Sequence, residues 1–431
     1  MGKTAIEWTD EVLNVQRGCD AVSPGCAHCW AAATATRFSA PGEAFAGLAK
    51  RKALPGGGSL AVWTDKPVML LPDKMLDVLS WRKPKRVFVN SVSDTFHADV
   101  PFEYIAALWA FMACASTVTF QIVTKRARRM REFFEWTTAN GGRDHWLRCA
   151  LNLCDALEHK ETRWTKARET LLSRFKAPTA RAELTRGTTL LALENVWLLV
   201  STENQETYDE RVAELLQCPA VVRGISAEPL LGPIELGLGR WIRLPHAVTS
   251  DFANVPGLPP PLTAKPGVYR ARSNALGALG ALHVVLPGGN LGIKPGEFEL
   301  MLDIDWAIIG GESGAGCRPN DLAWTRGILH QITNYNLDRE DCGHTAPFLK
   351  QLGGAAVDAA NGLAGRFYVV DPGAGRKPTV RLKDGHGGDE DEFPTDLRGH
   401  RHFPVPRLYR QSDPPVQAVR PMGQLGQLGL L

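Results

Sequence analysis

Five short apolar runs, each closed at once by a polar or glycine-bearing stretch, restrict this chain to a narrow set of folds. The runs are Arg86–Asn90 (RVFVN), Thr117–Thr124 (TVTFQIVT), Val196–Ser201 (VWLLVS), Ala220–Ser226 (AVVRGIS) and Ile304–Gly310 (IDWAIIG). Their length and their Val and Ile content predict buried strands. Amphipathic stretches at Pro101–Ala115 and Tyr208–Leu216 predict helices between them. Parallel neighbours need long crossovers, so strands alternating with helices imply an α/β chain with a mainly parallel sheet. In such sheets and barrels the chemistry gathers at the carboxyl ends of the strands. The residues that follow each run are therefore the first site candidates.

Two regions break the rhythm. Residues about 138–195 are charged and helix-like, and residues about 235–303 are rich in Pro and Gly. Both read as insertions into a frame that spans residues 1–355. The second holds RWIRLP, GVYRAR and LHVVLP, which predict a small β-rich subdomain. Residues 356–431 form a C-terminal extension, irregular from about Gly373 onward. Hydrophobic residues make up 44% of the 431, enough for a large core and against wholesale disorder. A net charge of +3 excludes strong delocalised binding to nucleic acid, but leaves room for a local basic face. No apolar run approaches the roughly 20 residues that span a bilayer. The opening MGKTAIEWTDEVLN lacks the apolar core of a signal peptide. Nine cysteines, an odd number, fit metal ligation and reduced thiols better than a disulfide framework. A cytoplasmic protein without a membrane partner is expected.

Three of those cysteines stand close together. GCDAVSPGCAHCW sets Cys19, Cys26 and Cys29 at the spacing C-x6-C-x2-C. A [4Fe–4S] cluster ordinarily takes four thiolates. A loop that offers three leaves one iron open, able to bind the amino and carboxylate groups of S-adenosylmethionine. The alternative is structural zinc, which needs a fourth ligand such as His28, Cys317, Cys342 or His344. The spacing alone leaves both open.

Further candidates follow the strands. Ser91, Ser93, Asp94 and His97 come after RVFVN; Asp94 can hold ribose hydroxyls or orient His97, or simply cap a turn. Thr124, Lys125 and Arg126 come after TVTFQIVT, and Lys125 is the preferred anion contact and catalytic candidate. The KRARR run that begins there suits a phosphate or a solvated helix face equally. Glu203 and Asn204 follow VWLLVS, and Glu228 follows GIS. The turn Gly310–Gly314 allows close backbone approach at Gly310 and Gly311 and offers Glu312 as an acceptor. Arg318 and Lys350 add cations, and Cys317 is a candidate hydrogen-atom or thiolate donor. Cys114, Cys149, Cys154, Cys218 and Cys342 share no ligand spacing, although Cys342 and His344 make a weak second metal pair.

In chain order, IEWTD (Ile6–Asp10), the SPGCAHCW loop, KPKRVFVNSVSDTFHADVP (Lys83–Pro101), FQIVTKRARRM (Phe120–Met130), STEN (Ser201–Asn204), SAEPLLGPI (Ser226–Ile234), WAIIGGESGAGCRP (Trp306–Pro319) and PFLKQLGG (Pro347–Gly354) resemble a phage-associated, largely uncharacterised family related to radical S-adenosylmethionine enzymes. The resemblance implies a partial (β/α) barrel with the cluster loop after the first strand. It implies a [4Fe–4S] cluster on Cys19, Cys26 and Cys29, S-adenosylmethionine bound by Ser93, Asp94, Glu203, Asn204, Glu228, Gly310, Gly311 and Glu312, and a reducing partner such as flavodoxin or ferredoxin. A nucleobase or nucleic acid is the expected substrate class. The alternative is a metal-stabilised protein that binds nucleic acid or a partner without catalysis. Oligomeric state is left open.

Overall fold

Seven parallel strands form one sheet: β1 (Glu11–Leu13), β2 (Lys85–Val89), β3 (Val118–Thr124), β4 (Val196–Ser201), β5 (Arg223–Ala227), β6 (Trp306–Gly310) and β7 (Ala346–Gln351). Their order across the sheet is their order along the chain, and every neighbouring pair is parallel. A doubly wound sheet reverses its strand order partway. This one never reverses, and it curls into a half-barrel. The computed structural model describes residues 4–405 apart from 56, 160, 176–190, 250–261, 272–281, 287–288, 294–296, 302, 315, 338–343, 359–367, 371–378, 382–383 and 385.

The five predicted strands lie where the apolar runs stand, with ends shifted by up to three residues. Ala220–Ser226 begins as a strand only at Arg223. Residues of β4 are buried throughout, as expected of a central strand covered on both faces. Helix α2 (Phe102–Ala113) follows Pro101, carries Glu103 in its first turn and is apolar nearly all round. It packs in the main core with Phe120, Phe133 and Trp146.

The charged stretch after β3 holds α3 (Ala127–Ala139), α4 (Arg143–Leu157) and α5 (Arg163–Arg174). These helices are not an appendage. Trp146, Cys149, Cys154, Trp164 and Leu171 bury their side chains in the main core. Residues after 235 do form small antiparallel sheets, with Trp241–Leu244 between Gly267–Arg270 and Glu299–Leu300. That unit has its own core of Ile242, Leu244, Val248, Ala264, Val284, Leu291 and Ile293.

The described part of the C-terminal extension is tied down. His400 O accepts from Leu349 N at 2.6 Å, and Trp306 Nε1 donates to His402 O at 3.0 Å. Phe403 packs on Trp306 and Phe348, with centroids 5.6 and 5.4 Å away. These contacts dock residues 400–403 on β6 and β7. Among the described residues no helix is long and apolar enough to cross a membrane.

Candidate functional site

At the carboxyl end of β2 the chain turns on Asn90, a non-glycine residue with φ 61°. Asparagine tolerates this left-handed conformation better than most side chains. Its side chain fixes the turn, because Oδ1 accepts from Val15 N at 3.0 Å and Nδ2 donates to Thr95 Oγ1 at 2.9 Å. The turn brings Ser93 against the loop after β1. Ser93 Oγ donates to Gly18 O at 2.5 Å and accepts from Gln16 Nε2 at 2.9 Å.

Asp94 is buried and fully engaged. Its Oδ1 accepts from Thr124 Oγ1 at 2.7 Å and Phe96 N at 3.0 Å. Its Oδ2 accepts from Lys125 N and Arg126 Nη1, both at 3.0 Å. Four donors fill a carboxylate's acceptor sites. Asp94 therefore joins the ends of β2 and β3 and aims Arg126, instead of facing a ligand. Arg126 reaches Cys19 Sγ at 3.7 Å and pairs closely with Asp20. Burial pushes the Cys19 thiol up to about 12, against the pull of Arg126, and the nearby Cys29 adds to the rise. His97 accepts from Asp99 N through Nδ1 at 3.1 Å, which leaves Nε2 as the donor to Asp20 at 2.5 Å.

The loop continues as a tight turn, Pro24–Cys26, and Cys29 stands at the N-terminus of α1 (Trp30–Ala35). Two further strand ends hold it. Ser23 Oγ donates to Glu203 Oε1 at 2.7 Å. A Cβ on Gly25 would lie 2.3 Å from the same oxygen, so only glycine allows this approach. Arg318 Nη1 donates to Pro24 O at 2.9 Å while its other nitrogens grip Glu312 at 2.6 and 3.1 Å. The cysteine loop is thus fastened to groups just beyond β2, β3, β4 and β6.

Glu203 is completely buried between two cations, Arg211 at 3.1 Å and Lys125 at 3.7 Å. Burial works to raise its carboxyl, but Lys125 and Arg211 outweigh it and hold the group below its ordinary value. Glu312 behaves likewise: burial raises, and the Arg318 bonds lower it further. Glu228 pairs with Lys350 across the ends of β5 and β7. Asn204 caps helix α6 (Gln205–Leu215), its Oδ1 accepting from Thr207 N at 3.0 Å. Gly311 lies so close to the next strand that a Cβ would sit 2.2 Å from Leu352 O. Gly310 faces Glu228, whose Cδ would be 3.4 Å from an added Cβ. Cys317 is partly buried; burial and the Glu312 charge raise its thiol. Its neighbour Gly316 lies beside His28, bringing the glycine turn against the cysteine loop.

The three cysteines lie on the loop after β1, the other cofactor and catalytic candidates lie at or just beyond the carboxyl ends of strands, with Gly310 as the last residue of β6, and most of these positions face protein partners. Sequence reasoning missed Asp20, Ser23 and Arg211, which knit the site together. Only Ser23 carried a signal, a hydroxyl beside the Pro-Gly turn. The second-metal candidate Cys342 lies outside the described residues. Cys19, Cys26 and Cys29 carry free thiols, suitable donors for an iron–sulfur cluster. Among the described residues no three His, Cys, Asp or Glu side chains are gathered as a metal-holding group. The basic run is largely engaged: beyond Lys125 and Arg126, Arg129 stacks on Phe102 at 4.4 Å and Arg131 pairs with Glu135 and Glu214.

The family described as "Protein of unknown function (DUF5131)" matches residues 3–366. No curated protein and no solved structure matches the chain.

Proposed function

We propose that this chain, which belongs to the DUF5131 family of unknown function, is a radical S-adenosylmethionine-type enzyme that acts on a nucleobase or nucleic acid. One observation carries the reading: a loop of three free thiols is fastened to the carboxyl ends of four strands of a parallel half-barrel. Chemistry in such barrels sits at those ends. A phage association for the family is part of the same proposal.

Cys19, Cys26 and Cys29 would hold a [4Fe–4S] cluster. Bound there, it would supply one-electron reductive cleavage of S-adenosylmethionine, with the electron drawn from a flavodoxin- or ferredoxin-like reductant. The protein's own groups position and tune. Arg126, aimed by Asp94, puts a positive charge beside Cys19 and favours its thiolate. Glu203 and Arg318 fix the loop from below. Gly310 and Gly311 let the end of β6 pack closely against Glu228, Gln351 and Leu352. Glu228 with Lys350, and the partly exposed Lys125, offer charges that an amino acid's ammonium and carboxylate can pair with. Ser93 and Asn204 hold the strand ends around them.

Anaerobic reconstitution with iron and sulfide should give a brown protein with about four irons per chain. With dithionite it should form 5′-deoxyadenosine from S-adenosylmethionine, and Cys26→Ala should abolish both. A colourless protein with stoichiometric zinc and no cleavage would instead leave a metal-stabilised binding protein.

A further inference from the structure

The hairpin formed by Ala49–Ala53 and Ser59–Trp63 is a two-stranded antiparallel ribbon. Its first strand reads AKRKA, buried at Ala49 and exposed from Lys50 onward. Alternation puts Lys50 and Lys52 on one face, paired with Val62 and Leu60, and Arg51 on the other. The turn at Gly57 and Gly58 stands in open space, with both glycines at positive φ. At its base the ribbon packs on α1: Ala49 and Trp63 join Ala31, Ala35 and Cys29 in one apolar cluster. It is therefore built onto the helix that begins at a cysteine of the proposed cluster loop.

Charge singles this ribbon out. Residues 37–66 carry five cations, Arg37, Lys50, Arg51, Lys52 and Lys66, against two acids, Glu43 and Asp65. Lys50, Arg51 and Lys52 have no acidic partner among the described residues; Arg51 bonds only Ser59 Oγ, at 3.3 Å. The KRARR run, by contrast, is engaged: Lys125, Arg126 and Arg128 face Glu203, Asp20 and Glu214, and Arg129 stacks on Phe102. Exposed aromatics accompany the ribbon: Trp30, 59% exposed beside Cys29, and Phe38, 48% exposed. Unpaired cations track a phosphate backbone, and exposed rings stack on bases.

We propose that this ribbon is the docking surface for a nucleic-acid strand, which it delivers to the cysteine-loop mouth. The inference deepens the reading above by naming a polynucleotide as substrate, and it rests on that reading for its catalytic meaning. Fluorescence anisotropy tests it on the full chain, metal-free and reconstituted, with labelled single-stranded DNA, RNA of the same sequence and duplex DNA. Titrations at about 50 and 200 mM salt give the number of phosphate contacts. The triple variant Lys50→Glu/Arg51→Glu/Lys52→Glu should weaken binding at least ~10-fold and lower the salt slope by roughly two to three. The three nucleic acids rank the preferred strand. The control Lys83→Glu/Arg128→Glu/Lys166→Glu, at exposed positions elsewhere, should bind as the parent. Unchanged affinity in the ribbon variant, loss confined to the control, or stronger binding to anionic lipid vesicles than to any nucleic acid would overturn the proposal. Affinity without 5′-deoxyadenosine formation removes the enzymatic reading alone, whereas cleavage without affinity removes this one.

Discussion

Glu203 shows how one residue can tie a site together. It accepts from Ser23, faces Arg211 and Lys125, and leaves room for Gly25 alone. Replacing it with glutamine removes the charge that balances buried Arg211 and partly buried Lys125, so Glu203→Gln should cost about 3 kcal/mol in denaturant unfolding. It should also loosen the cysteine loop and lower iron content after reconstitution. The pH dependence follows from its depressed carboxyl. A group whose folded value lies below its unfolded value stabilises the fold above the unfolded value, and loses that contribution as pH falls through the folded one. Stability attributable to Glu203 should thus be complete above its ordinary value of 4.5 and decline below it. Glu203→Gln should flatten that acid limb; an unchanged limb would assign it to other carboxylates. The sequence marked Glu203 because it follows an apolar strand. It could not mark Arg211, which lies two turns along a helix and becomes a partner only when that helix packs back on β4.

Elements reveal the same mixture of local and distant causes. Helix α6 begins with a capping box, Asn204 Oδ1 accepting from Thr207 N and Thr207 Oγ1 accepting from Asn204 N at 3.2 Å. Asn204→Ala should cost about 1 kcal/mol, with Asn204→Asp restoring most of it. If thermal unfolding shows no loss while S-adenosylmethionine affinity falls, Asn204 is a ligand contact and the cap is incidental. The central strands were legible because burial on both faces demands unbroken apolar runs. The two edge strands were not: β1 is only three residues long, and β7 (APFLKQ) mixes a proline, a lysine and a glutamine into its six. Edges have one ladder partner and tolerate such residues. Likewise the charge of residues 138–195 suggested an insertion into the frame, and the apolar faces of α4 and α5 pack it into the main core. Their stripes were present in the sequence, but the surface they cover lies far away along the chain.

At the scale of the whole molecule, a sheet whose seven strands are all parallel sends their carboxyl ends to one rim. Charged side chains at those ends pair between neighbouring strand ends, Asp94 with Arg126, Glu203 with Lys125 and Glu228 with Lys350, and within one connection, Glu203 with Arg211 and Glu312 with Arg318. The rim is thus a band of ion pairs lidded by the cysteine loop, with a basic ribbon beside it. The low net charge of +3 conceals this division, because composition averages a paired rim with an unpaired hairpin. What the sequence could not convey is which cations remain free, since that depends on side chains brought together by the fold.

The most direct test of the account is the electron paramagnetic resonance spectrum of the reconstituted, dithionite-reduced protein, recorded with and without S-adenosylmethionine. An iron left open by three thiolates should change its signal when the ligand's amino and carboxylate groups arrive. Identical spectra, or a protein that takes up only zinc, would contradict it.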